Sequence, residues 1–174
     1  MGKRSDFERR PMDFYATPGA AVLPLLPWLP AGARYCEPCA GEGDLVQHLD
    51  KHGHQCVAAF DLDPSGPYPE KDALQMTKGD AGDANYIITN PPWSRHILHP
   101  MIMTFKDIAP TWLLFDADWM HTKQSKPYMQ YCRMIVSIGR VKWIADSKHT
   151  GKDNCAWYLF AAKPQVHTDF VGRR

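Results

Sequence analysis

The sequence predicts an α/β fold, a mostly parallel sheet whose ligand site lies at the C-terminal ends of its strands. Three observations carry this expectation. Short β-branched or apolar runs alternate with helix-patterned segments along the 174 residues. The first run, Arg34-Tyr35-Cys36-Glu37, leads into the glycine turn Pro38-Cys39-Ala40-Gly41-Glu42-Gly43 and then a helix, which is the first half of a nucleotide-binding unit. A later run, Tyr86-Ile87-Ile88-Thr89, is cut off by Asn90-Pro91-Pro92-Trp93. Each proline fixes φ and removes a backbone donor, so Asn90 and Trp93 stand in a stiff turn at the strand end, where open α/β sheets bind ligands. An amide, rigid carbonyls and an aromatic face suit a flat ligand bearing an –NH2 group. The plainer alternative is an Asn-Pro turn with a packed tryptophan.

The remaining elements follow in order. Residues 1–13 carry Lys3, Arg4, Arg9 and Arg10 and read as a flexible basic arm able to touch a polyanion, or as a solvated tail. Thr17 can cap a helix with Pro18 in its first position, and the apolar stretch Gly19 to Leu29 should pack on the sheet. Asp44 to His52 forms a helix with Leu45, Val46 and Leu49 on one face and Gly53 as its stop. The Gly-x-Gly spacing lacks a third glycine and does not match the dinucleotide fingerprint. Gln55 to Asp61 is the next strand, and Asp61, about 20 residues beyond the glycine turn, is placed either to accept ribose hydroxyls or to form a turn before Pro64.

Residues 64–84 are polar and loop-like, with Asp72, Asp80 and Asp83 as candidate contacts. His96 to Ile108 is a helix, Thr111 to Phe115 a buried strand, and Ser125 to Tyr131 a short helix. Ile135–Ile138 and Arg140–Ile144 read as one bulged strand, with Ala156–Phe160 as its hairpin partner across the polar, basic loop 145–154. There is no internal repeat.

Composition narrows the class. Hydrophobic residues at 44% and charged residues at 22% fit a soluble globular protein, and the length fits one domain with a real core. The formal net charge of +1 means that a polyanionic partner must be met by a local patch. Val22 to Pro30 is short and broken by prolines, so no membrane span is expected, and residues 1–6 lead into no signal core. Five cysteines, an odd count, point to reduced thiols and a cytoplasmic location.

Four signals now stand in one order: Tyr15-x-Thr17-Pro18, Glu37-Pro38-x-Ala40-Gly41-x-Gly43, Asp61, and Asn90-Pro91-Pro92-Trp93. That order resembles the class I S-adenosylmethionine-dependent amino-methyltransferases, above all the small N6-adenine DNA methyltransferases of phages and prophages. The resemblance covers nearly the whole chain. It implies a three-layer Rossmann-like methyltransferase fold, a seven-stranded sheet with the last strand antiparallel, and a bacterial or phage-infected cytoplasm. It also implies S-adenosylmethionine as cofactor. Gly41 and Gly43, with Pro38 and Ala40 in the same turn, would flank its methionine part, with Glu37 near its amino group. Thr17, helped by Tyr15, would contact its carboxylate, and Asp61 its ribose. Its adenine amino group would fall to Asp72, with Asp80 as rival. Two departures stand out. There is no room for a separate target-recognition domain, so sequence specificity should be loose, and tryptophan follows the prolines where tyrosine is commoner.

The chemistry fits an adenine amine, a poor nucleophile because its lone pair is delocalised. Asn90 and the Pro91 carbonyl can accept its two N–H bonds, and Trp93, after Pro92, can stack on the base. Such a base must be flipped out of duplex DNA or arrive single-stranded. Lys142, Lys148, His149 and Lys152, with Arg140 nearby, are the candidate phosphate contacts, and Trp143 is either a second stacking surface or core. RNA adenine or a protein glutamine amide are alternative acceptors, and a non-catalytic nucleic-acid-binding protein is the alternative of a different class. Cys36-x-x-Cys39 lacks a second pair or suitably spaced histidines, so no metal is expected. Asp116 and Asp118 read as loop formers, not as a catalytic pair.

Overall fold

The computed structural model describes residues 16–143 and 151–173. Seven strands form one sheet: β1 (Arg34–Glu37), β2 (Gln55–Ala59), β3 (Tyr86–Thr89), β4 (Thr111–Asp116), β5 (Cys132–Arg140), β6 (Asn154–Phe160) and β7 (Asp169–Val171). Their spatial order is β2-β1-β3-β4-β6-β5-β7. β2, β1, β3 and β4 pair in parallel, β6 runs antiparallel to both β4 and β5, and β5 pairs in parallel with β7. The reversed strand is thus the sixth, and the short β7, which no sequence pattern announced, takes the sheet edge after it. Among the described residues, one isolated parallel bridge outside the strands joins Asp61 to Glu70.

Alternation along the strands builds two cores. Cys36, Ile87, Leu113, Phe115, Ile135 and Tyr158 face one side with α3 (Arg95–Ile108). Tyr35, Ile88, Trp112, Leu114, Val136 and Trp157 face the other, with α1 (Gly19–Val22) and α2 (Asp44–Lys51). Successive residues point to opposite faces, so an unbroken apolar run such as Trp112-Leu113-Leu114-Phe115 is what a sheet covered on both sides requires.

The N-terminal helix departs from expectation. Pro18 itself is the N-cap, with extended φ −73° and ψ 148°, and Thr17 makes no cap. After one turn the chain tightens to a 3₁₀ helix over Leu23–Trp28, because Pro24 and Pro27 cannot donate the α-helical bonds. Trp157 Nε1 bonds the Ala21 carbonyl at 2.8 Å, tying this segment to β6. The expected strand Arg140–Ile144 also ends early: β5 stops at Arg140, after register shifts between Cys132 and Met134 and between Ser137 and Gly139. The helix expected over Ser125–Tyr131 is α4 (Lys126–Met129), preceded by a 3₁₀ turn at Lys123–Ser125. Among the described residues no helix is long and apolar enough to cross a membrane.

Candidate active site

A cleft opens at the C-terminal ends of β1, β2 and β3, lined by Thr17, Glu37, Pro38, Ala40, Gly41, Asp61, Leu62, Asn90 and Pro92, among others. The β1 side is held by main chain. Phe60 N donates to the Glu37 carbonyl at 3.1 Å and Ala40 N to the Phe60 carbonyl at 3.0 Å, so the glycine turn is stitched to the strand beside it. Asp61 completes the brace. Its Oδ2 accepts from Gly41 N at 2.8 Å and its Oδ1 from Asp63 N at 2.9 Å. The carboxylate therefore shapes the turn, with lone pairs to spare for a ligand.

Glu37 is the unusual group. It ends β1 only 2% exposed, and its Oε2 has no hydrogen-bond partner. Burial, then the charges of Asp61 and Asp44, push its carboxyl well above the ordinary range. A buried carboxylate oxygen without a donor is costly and is normally matched by a cation.

The β3 side is held by side chains. Asn90 Nδ2 donates to Thr17 Oγ1 at 3.2 Å, and Asn90 Oδ1 accepts from Trp93 Nε1 at 3.3 Å. An indole N–H can only donate, so this bond fixes which end of the amide is oxygen. Trp93 Nε1 also reaches the Leu114 carbonyl at 3.2 Å, and its ring meets Trp143 edge-on, centroids 5.7 Å apart. Trp93 packs against both cores. The tetrapeptide thus carries a built-in clamp on its own asparagine, and neither the Thr17 contact nor the indole bond left a sequence signal.

Other sequence candidates fall less centrally. Gly43 does not line the cleft. Its φ of 87° caps α2, and a Cβ there would lie 2.4 Å from the Tyr68 hydroxyl. The glycine is needed for that conformation and for Tyr68, which packs over the turn. Pro91 is buried, and Pro92 lines the cleft. Asp72 lies outside the lining and caps a 3₁₀ turn through Leu74 N. Asp80 is occupied on both oxygens, by Lys71 at 2.6 Å and by Thr77 N and Oγ1, and hydrogen bonds from Lys71 and Thr77 hold its carboxyl well below the usual range. Of the two rivals, Asp72 keeps the freer carboxylate. Asp83 pairs with Arg34.

Lys142 and Lys152 are exposed, while Tyr15, Lys148, His149 and the 1–13 arm lie outside the described residues. Asp116 accepts from Asp118 N, a turn-forming role. Cys36 is buried, and burial foremost pushes its thiol up to about 12, which disfavours the thiolate that redox or metal chemistry needs. Among the described residues no group of His, Cys, Asp and Glu is placed to hold a metal ion.

No protein-family model matches the sequence, and no curated protein matches it. The fold does have solved counterparts. The chain is similar to a Pyrococcus horikoshii protein proposed to be an RNA methyltransferase, at 17% identity and TM-score 0.66, covering 92% of this chain and 94% of that one. It is similar to the methyltransferase subunit of a type I restriction-modification system from Streptococcus thermophilus, at 9% identity and TM-score 0.60, over 91% of this chain and 47% of that one. A dimethyladenosine transferase from Plasmodium falciparum aligns at 14% identity and TM-score 0.55, over 87% of this chain and 63% of that one. At such identities the likeness establishes the fold, a Rossmann-like methyltransferase fold.

Proposed function

We propose that this protein is an S-adenosylmethionine-dependent methyltransferase acting on the exocyclic N6 amine of adenine in DNA, with loose sequence context. The observation that carries the reading is one cleft holding both an unpartnered, buried Glu37 oxygen and a rigidly oriented Asn90 amide. Glu37 calls for a cation, and the ammonium of the cofactor's methionine part is one of the right size. Thr17 spends its Oγ1 lone pair on Asn90 and so keeps its own proton for the cofactor carboxylate, with Tyr15 as a second donor. Pro38, Ala40 and Gly41 present backbone to the methionine chain. Asp61 accepts ribose hydroxyls through its spare lone pairs, and Asp72 accepts the adenine amino group. S-adenosylmethionine supplies an electrophilic methyl group on a sulfonium centre.

The acceptor chemistry belongs to the chain's own residues. Asn90 Oδ1, aligned by the Trp93 indole, takes one adenine N–H and the Pro91 carbonyl takes the other. Two acceptors so placed favour a more tetrahedral nitrogen whose lone pair leaves the ring. Losing one comparable preorganised contact costs about 2.7–4 kcal/mol. Asn90 takes up no proton at neutral pH, so the proton departs to water after transfer. Trp93 stacks on the base, worth about 1–3 kcal/mol, and the base is flipped from duplex DNA or taken from a single strand. Lys142 and Lys152, with Lys148 and His149, meet phosphates.

Incubation with labelled S-adenosylmethionine and a panel of duplex DNA, single-stranded DNA, RNA and protein tests the proposal. N6-methyladenine in DNA, in many contexts, is the expected product. Label in RNA or on glutamine would reassign the acceptor, and a protein that binds nucleic acid but not the cofactor would be a binding module.

A further inference from the structure

A second groove lies beside the cleft. The first turns of α3 supply one wall, with Arg95, His96 and His99, and the segment after β4 supplies the other, with Lys123, Gln124 and Tyr128. β3 and β4 are parallel neighbours, so both walls hang from the sheet edge that carries Asn90. Arg95 is the fifth residue after Asn90, and five extended residues reach at most about 17 Å.

Among the described residues, no ion pair compensates the charge in this groove. Arg95 donates to the neutral side-chain oxygen of Gln124. Neither Arg95 nor Lys123 is among the ion pairs made by the described residues. His99 is held in one state. Its Nε2 accepts from Trp119 Nε1 at 3.0 Å, and its ring lies 4.4 Å from that of Tyr128. A ring nitrogen that accepts leaves the proton on Nδ1, so His99 is a neutral donor. Burial, then the charge of Arg95, hold it below its ordinary value, which keeps it so. Two full cations, the imidazole of His96, a neutral donor, an amide, a tyrosine and, among the described residues, no carboxylate line one trough, with Arg95 preset by Gln124 to offer its remaining guanidinium donors. A forked donor set beside a point charge matches the oxygens of successive phosphodiesters.

We propose that this groove holds the phosphodiester backbone flanking the nucleotide presented to Asn90. The inference rests on the nucleic-acid reading of the acceptor, and it assigns backbone contacts to a surface other than Lys142 and Lys152. A strand entering the cleft passes the groove within a few nucleotides, so these contacts fix the register of the target base. The groove reads no sequence, which agrees with loose context.

The test is binding of the full chain to a single-stranded DNA oligonucleotide, and to its RNA counterpart, over a range of salt. Replacing Arg95→Gln and Lys123→Gln together removes two phosphate contacts. The slope of log affinity against log salt should then become shallower by about 1.4, since each contact on a single strand contributes about 0.7. Binding of S-adenosylmethionine should be unchanged, which confirms an intact cleft. Gln124→Glu, which sets a carboxylate against Arg95, should weaken both oligonucleotides without removing a lysine or arginine. Equal effects on DNA and RNA identify the phosphodiester as the ligand, and so does an effect on DNA alone for a deoxy-selective groove. An unchanged slope in a variant that still binds cofactor and nucleic acid overturns the groove and leaves the proposed reaction standing. A wild-type chain that binds neither oligonucleotide overturns the groove and the nucleic-acid acceptor together.

Discussion

On the β1–β2 side of the cleft, the fixed polar group is held by main chain: Asp61 is bonded by Gly41 N and Asp63 N, and the turn beneath it by Phe60 N and Ala40 N. On the β3 side, Asn90 is bonded by the side chains of Thr17, from a distant part of the sequence, and Trp93, from the same tetrapeptide. Backbone bonds stay put when neighbouring side chains change, so the first side is robust and serves to bind. Side-chain bonds can be removed one at a time without disturbing the strand they sit on. The second side is therefore where alignment, and with it the rate, can be tuned separately from binding.

Asn90→Ala is the largest expected break in that division. It should lower the turnover rate by about 10²–10³ or more, the scale of one lost preorganised contact. Cofactor affinity should stay within about tenfold, roughly 1.4 kcal/mol, as read by calorimetric titration. A collapse of cofactor binding instead would show that the two sides are not separable. Asp61→Ala is the mirror test. It removes the brace on Gly41, and hydrogen bonds to a charged group are worth about 1.5–3 kcal/mol, so cofactor affinity should drop about ten- to a hundredfold. Oligonucleotide binding should not move.

The sequence made the two sides legible to different degrees, for the same physical reason. Strand β1, the glycine turn, α2 and β3 were readable to within a residue, because local patterning and chain-breaking residues fix them. Asp61 and Asn90 stood out because they lie just past strand ends. Asn90 directly follows β3, and Asp61 lies two residues after β2, which stops at Ala59 and not at Asp61 as the sequence suggested. The Thr17–Asn90 bond joins residues 73 apart, a long-range contact that local patterning does not announce. Gly43 was read as a ligand contact, while its conformation and the Tyr68 ring already account for it. β7 was missed because three mostly exposed residues at a sheet edge carry no periodic signal. The groove at Arg95 and Lys123 was missed because it joins two elements across β4.

Glu37 sharpens the comparison through pH. Among the described residues, its buried Oε2 has no hydrogen-bond donor. Its folded pKa is raised, so the folded protein holds this proton more tightly than the unfolded chain does. The stability it contributes is full below the unfolded value, about 4.3, and is lost as pH rises through the folded value. Thermal melts without cofactor should therefore show a falling Tm as pH rises from 5 toward neutrality. Glu37→Gln should flatten that fall and raise Tm at neutral pH while weakening cofactor binding about tenfold or more. A Glu37→Gln variant that melts lower at neutral pH and binds cofactor normally would mean that the carboxylate is satisfied within the fold.

The smallest effect tests the clamp alone. Trp93→Phe keeps an aromatic face for stacking and removes only the indole N–H, so the Asn90 oxygen and the Leu114 carbonyl each lose a donor. A net hydrogen bond is worth about 0.5–1.5 kcal/mol, which corresponds to a two- to tenfold lower turnover rate. The expected signature is a fall in kcat with little change in KM for the oligonucleotide, because the ring that grips the base is still there and the amide that aligns the amine has loosened. Trp93→Ala, by contrast, should raise KM as well, since it removes both functions. If phenylalanine were as damaging as alanine, the tryptophan would matter chiefly through its bonds. If phenylalanine were silent, the contacts of Asn90 other than the indole bond would suffice to hold it, and the β3 side would be as robust as the side across the cleft.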